Sequence, residues 1–166
     1  MSHQQRVIPD PFDFARRADA LAGELDARHL ARVADQLRAP DTAQPVQYVL
    51  RGERVDGKSF LHVSVSARLV MQCQRCLGEV VCEPQQQSSL LLVPRDQPLP
   101  DEDLENDEFD PVHAGRDFDV LDAVEEELLL ALPLAPAHEE CALPGDGDDS
   151  ADSSPFAMLK SLKLKR

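Results

Sequence analysis

Tryptophan is absent from this 166-residue chain, tyrosine occurs once and phenylalanine six times. Any core must therefore be aliphatic, and 13 prolines divide the chain into many loops. Positive charge is also scarce: 17 Lys and Arg against 31 Asp and Glu give a net charge of −14. A surface of that sign disfavours non-specific attraction to phosphate backbones, so a nucleic-acid role needs a local basic patch or a protein intermediary. No apolar run approaches the roughly 20 residues that span a bilayer, and the first residues carry no apolar segment of signal-peptide type. The expectation is a cytoplasmic protein with no membrane partner, in a compartment where thiols stay reduced. Glycine-rich phosphate loops, a nucleophile elbow and an HExxH helix are all missing. That leaves no catalytic set and no small-molecule substrate to expect. No repeat at solenoid periods is visible.

What the chain does contain is a long alternating stretch that runs into two cysteines. From position 61 the apolar residues Leu61, Val63, Val65, Ala67, Leu69 and Met71 fall on every second position. That period marks a strand with one buried and one wet face. It delivers Cys73-Gln74-Arg75-Cys76 to a turn. Residues 46–55 and 60–71 read as two strands joined by Asp56-Gly57-Lys58, a strong hairpin signal. A third extended run covers 79–93, so the three form an antiparallel meander.

Upstream, Val7 and Ile8 suggest a short strand. Asp10 and Pro11 suit the cap and first position of a helix that carries Phe14, Ala18 and Leu21 on one stripe as far as Gly23. Residues 23–25 make a brief extended crossing. Asp26 then caps a second helix with Leu30, Val33, Ala34 and Leu37 on its inner face, closed by Pro40. Downstream, residues 96–118 are acidic and opposed by Arg116 alone, which reads as a mobile loop. Asp119 caps a helix with Leu121, Val124, Leu128 and Ala131/Leu132 inward, stopped by Pro133. Asp122, Glu125 and Glu126 sit in its early turns, where the helix dipole favours negative charge.

Cys73 and Cys76 can aim two sulfurs at one point, a geometry used by zinc sites and by dithiol redox enzymes. Alone they are half a zinc site. His138-Glu139-Glu140-Cys141 offers a second half with the same spacing, and three Cys with one His is an ordinary closed zinc set. The expected ligands of a structural Zn2+ are thus Cys73, Cys76, His138 and Cys141. The alternatives are reduced structural thiols beside an exposed histidine, or Cys82 in place of His138. Thioredoxin-like exchange fits less well, because these cysteines follow a strand and do not open a helix.

The end of the chain is different material. Phe156, Leu159, Lys160, Lys163, Lys165 and Arg166 belong to a basic, amphipathic segment. A frayed terminus is the usual reading of such a position, but its apolar residues favour docking, with lysines free to meet phosphate.

The cysteine turn, the helix running from Glu125 into Leu132-Pro133-Leu134 with Pro136 and His138 to Cys141, and the terminal Pro155-Phe156-Ala157 segment together resemble the YceD-type family. These are bacterial and plastid proteins named for accumulation of the large ribosomal subunit RNA. The resemblance spans the order of segments across almost the whole chain. It implies a non-enzymatic factor supporting synthesis, processing or accumulation of 23S ribosomal RNA, hence large-subunit biogenesis. Its partner would be that RNA or a pre-ribosomal particle, reached through ribosomal proteins in one variant. Many relatives carry a cysteine where this chain has His138.

The expected architecture is α+β: a small antiparallel sheet, a meander with barrel-like closure as a variant, flanked by helices. Residues 1–143 would form one domain, 144–154 an acidic linker and 155–166 the basic tail. Two rival functions remain: a thiol-disulfide oxidoreductase using Cys73 and Cys76, or a protein-only adaptor that never contacts RNA.

Overall fold

The computed structural model describes residues 7–39, 45–100 and 108–141. The linker 144–154 and the tail 155–166, with Phe156, Leu159, Lys160, Lys163, Lys165 and Arg166, lie outside them, as do Pro40 and part of the acidic run. In chain order the elements are β1 (Val7–Ile8), α1 (Pro11–Arg16), β2 (Ala20–Leu25), a 3-10 turn (Ala27–His29) and α2 (Ala31–Ala34). Then come β3 (Val46–Val55), β4 (Lys58–Ser66), β5 (Leu69–Gln72), β6 (Glu79–Cys82) and β7 (Gln85–Pro94). The last are β8 (Asp110–Ala114), β9 (Phe118–Asp119) and α3 (Val120–Ala131).

The α+β class is the observed one. The main sheet has the order β2-β3-β4-β7-β8 and stays open, so it does not close into a barrel. Its first four strands pair antiparallel, whereas β8 lies parallel to β7. The hairpin between β3 and β4 turns through Asp56 (φ 49°) and Gly57 (φ 82°). Two successive positive φ values give the turn whose twist matches the flanking strands.

One face of the sheet is buried. Tyr48, Leu50, Leu61, Val63, Val65, Leu90 and Leu92 meet Val120, Val124 and Leu128 of α3 in a single aliphatic core. Helix α1 lies over β3 and β4, and α3 over β4 and β7. Gly52 lets α1 approach: a Cβ there would stand 2.6 Å from the Phe14 carbonyl oxygen and 2.7 Å from the Ala15 Cα. Helix α3 is fixed at its start by Asp119, whose carboxylate accepts the Leu121 amide at 2.8 Å and the Asp122 amide at 3.2 Å. Asp10 caps α1 in the same way through the Phe12 and Asp13 amides, each at 3.0 Å.

Several expected boundaries move. Helix α1 ends at Arg16, because Ala18 takes a left-handed turn (φ 52°) and residues 20–25 become the edge strand β2 on β3. The second helix breaks into a 3-10 turn and a single α turn, since Leu30 is extended between them. The long alternating stretch divides after Ser66. Residues 69–72 leave the main sheet and form a separate hairpin with β6. Part of the acidic run is not a loop: residues 110–114 contribute β8, supported by pairing with Leu90, Leu91, Leu92, Val93 and Pro94.

Candidate metal centre

The β5–β6 hairpin carries Cys73 and Cys76 in its turn. The Cys73 amide donates to the Gly78 carbonyl at 2.8 Å, and the Leu77 amide returns to the Cys73 carbonyl at 2.9 Å. Leu77 is left-handed (φ 62°) and completes this tight knuckle at the cost of about 1–2 kcal/mol. The segment after α3 is pinned to the knuckle by backbone. The Gln74 amide donates to the Pro136 carbonyl at 2.7 Å, and the Arg75 guanidinium reaches the His138 and Glu139 carbonyls at 3.4 Å.

This docking brings together all four residues expected as ligands. Sγ of Cys73 lies 3.9 Å from Sγ of Cys141, and Sγ of Cys76 lies 3.4 Å from Nδ1 of His138. One donor atom from each of the four fits within 4.8 Å of every other. Tetrahedral zinc, with bonds of about 2.3 Å to sulfur and about 2.0 Å to nitrogen, sets its ligand atoms about 3.5–3.8 Å apart. The observed spacings bracket that value. Cys73 is fully buried, the other three are half-buried, and all four cysteines are free thiols.

His138 is oriented for ligation. Its Nε2 is 2.8 Å from the Glu79 carbonyl oxygen, an acceptor only, so Nε2 carries the proton and Nδ1 presents a lone pair to the sulfurs. The thiols are polarised in opposite directions. Cys73 is lowered to about 5, chiefly because the Cys76 backbone amide points at its sulfur, with the His138 and Arg75 amides adding to it against burial. Burial pushes the Cys141 thiol up, and the neighbouring Cys73 and Cys76 raise it further. Three sulfurs this close do not all ionise without a cation, and a divalent soft metal supplies one. The donor set fits Zn2+ as a structural ion, with no ligand position spared for substrate.

Cys82 plays a different part. It pairs with Leu69 on the outgoing strand, and burial raises its thiol. It is not in the ligand group. Sequence reasoning missed the supports: the Glu79 and Pro136 carbonyls and the Gln74 amide are backbone groups that residue identity does not reveal.

No described helix is long and apolar enough to cross a membrane. No curated protein and no solved structure matches the chain. Residues 61–163 match the family model of the large ribosomal RNA subunit accumulation protein YceD, a span from β4 through the cysteine knuckle, α3 and the His138–Cys141 segment into the tail. That span holds every ligand of the candidate centre and more than half of the sequence, and the chain belongs to the YceD family.

Proposed function

We propose that the protein is a non-enzymatic cytoplasmic factor for the accumulation of 23S ribosomal RNA and the biogenesis of the large ribosomal subunit. The observation that carries this reading is the family match over residues 61–163, and the name of that family is its functional content. The Cys73, Cys76, His138 and Cys141 centre holds zinc as a structural clasp between the β5–β6 hairpin and the segment after α3. It keeps the surface around it rigid without performing chemistry. The tail 155–166, most of it inside the matched span, docks to a pre-ribosomal particle with its apolar side on protein and its lysines toward phosphate. Cells lacking the protein are expected to lose mature 23S RNA relative to 16S RNA. Full-length protein restores it, and a form ending at residue 154 does not. Unchanged 23S levels in the null strain overturn this function.

The lowered Cys73 thiol also suits a second reading, dithiol exchange with Cys76. Cys141 and His138 crowd the same two sulfurs, which favours metal over redox. If a Cys73→Ser, Cys76→Ser protein loaded with no metal still restores 23S RNA, neither the clasp nor the redox pair matters to function. A third reading, an adaptor that contacts only protein, is separated by crosslinking in cells with recovery of RNA or protein.

A further inference from the structure

Strand β7 is only half covered along its outer edge. Residues 85–89 pair with β4 on one side, but β8 begins opposite Leu90. Among the described residues no strand pairs with 85–89 on the other side. Exposed sheet edges are normally guarded by lysine, proline or a bulge. Here the sequence is Gln-Gln-Gln-Ser-Ser, with none of these. A groove of about 800 Å³ runs beside the edge, lined by Gln87, Ser88 and Ser89 and by Phe109 and Asp110.

The helix side of the same edge holds a carboxylate without a countercharge. Glu127 of α3 is 5% exposed and its Oε2 has no hydrogen-bond partner; the Ser88 hydroxyl beside the carboxyl opposes the effect of burial but brings no countercharge. Asp110 and Glu126 add negative charge around it. Among the described residues that line the groove Arg51 is the one permanent cation, Lys58 lies over the Phe109 ring at 5.6 Å, and Glu108 and Asp110 also stand there. His62 is held between Glu53 (2.7 Å) and Ser89 (2.9 Å). On the helix side a phosphate backbone would meet the negative charge of Glu126 and Glu127, whereas a cationic side chain would meet the countercharge that Glu127 lacks.

We propose that residues 85–89 are a strand-addition site for an extended basic peptide. The incoming segment continues the ladder on the edge of β7 that no described strand covers. Its side chains alternate between the two faces, so every second one points to the helix side. A lysine or arginine there reaches Glu127, while the others lie in the groove against Phe109. The site stands apart from the metal centre and does not depend on the ribosomal reading.

The test uses full-length protein and a labelled nine-residue peptide of alternating Lys and Val. Controls are the same peptide with every second backbone amide N-methylated along one edge, and a nine-nucleotide uridine oligomer. The expected result is binding that slows hydrogen exchange at the amides of residues 85–89 about tenfold or more. N-methylation should weaken it about tenfold. Glu127→Gln, which removes a charge and keeps the shape, should weaken it several-fold while the protein melts no lower than the parent. Equal binding of the N-methylated peptide, protection elsewhere, or no binding would each overturn the site. So would amides 85–89 that are already protected in the free chain, or an oligonucleotide that protects them in preference to the peptide.

Discussion

The Nε2–H of His138 donates to the Glu79 carbonyl at 2.8 Å, which turns Nδ1 of the same ring toward Cys76 at 3.4 Å. A strand carbonyl on the cysteine hairpin thereby sets the tautomer of a candidate ligand that arrives about sixty positions later in the chain. If that orientation matters, His138→Ala should lower zinc affinity by about 100-fold or more, exceeding the roughly 10–100-fold typical of losing a second-shell contact. His138→Cys should retain metal, because a fourth thiolate satisfies the same tetrahedral site. Competition with a chromophoric chelator measures both.

The Cys73 thiol predicts a pH signature. In metal-free protein one thiolate should titrate near pH 5, seen as ultraviolet thiolate absorbance, while Cys141, raised by burial and by Cys73 and Cys76, ionises above its ordinary range. Zinc should discharge the remaining thiol protons and abolish that step. Metal retention should therefore fall as the solution is acidified, since protons compete for every ligand.

Arg32 and Glu125 link α2 to α3. The Arg32 amide donates to Oε1 at 2.7 Å and its Nε to Oε2 at 2.9 Å. Burial pushes Glu125 up, but these donors outweigh it and hold it below its usual range. A carboxyl lowered in the folded state contributes stability that is present above the ordinary carboxylate range and is lost as pH falls through the folded value. Glu125→Gln should cost about 1–3 kcal/mol at neutral pH, discounted because Arg32 is half exposed. It should cost progressively less in acid, as read by denaturant unfolding.

Glu127 behaves in the opposite sense. Burial raises it, with the Ser88 contact opposing and Asp110 and Glu126 adding to the rise. A carboxyl raised in the folded state favours folding at low pH, and that benefit is lost as pH rises through the folded value. Glu127→Gln should therefore raise the melting temperature at neutral pH and leave it nearly unchanged in acid.

At Gly52 the approach of α1 leaves no room for a methyl group. Gly52→Ala should destabilise by about 1–3 kcal/mol through displacement of α1 backbone. Zinc content should stay at the parent value, because β5, β6 and the ligands are elsewhere.

Much of this was legible in the residues themselves. The two spacers of two residues, at Cys73–Cys76 and His138–Cys141, named all four members of the cluster that could hold a metal, because short loops leave few ways for their side chains to converge. Asp10, Asp119 and Asp56-Gly57 announced two caps and a hairpin, since each acts within its own few residues. Signals fail where distant contacts decide. Residues 20–25, Ala-Leu-Ala-Gly-Glu-Leu, have helical composition, yet become a strand because β3 offers an edge. Residues 110–114 look like more of an acidic loop until the β7 edge pairs with them. In the sequence Glu125 is an early-turn acid favoured by the helix dipole, and nothing there sets Glu127 apart. Their burial is set by Arg32 and Ser88, from other parts of the chain.

Metal analysis by native mass spectrometry of gently purified, full-length protein bears most directly on the clasp. One zinc per chain, lost on Cys76→Ser substitution along with protection of the hairpin amides, is the expected outcome. A chain that is folded and metal-free, and takes up no zinc when it is offered, would contradict it.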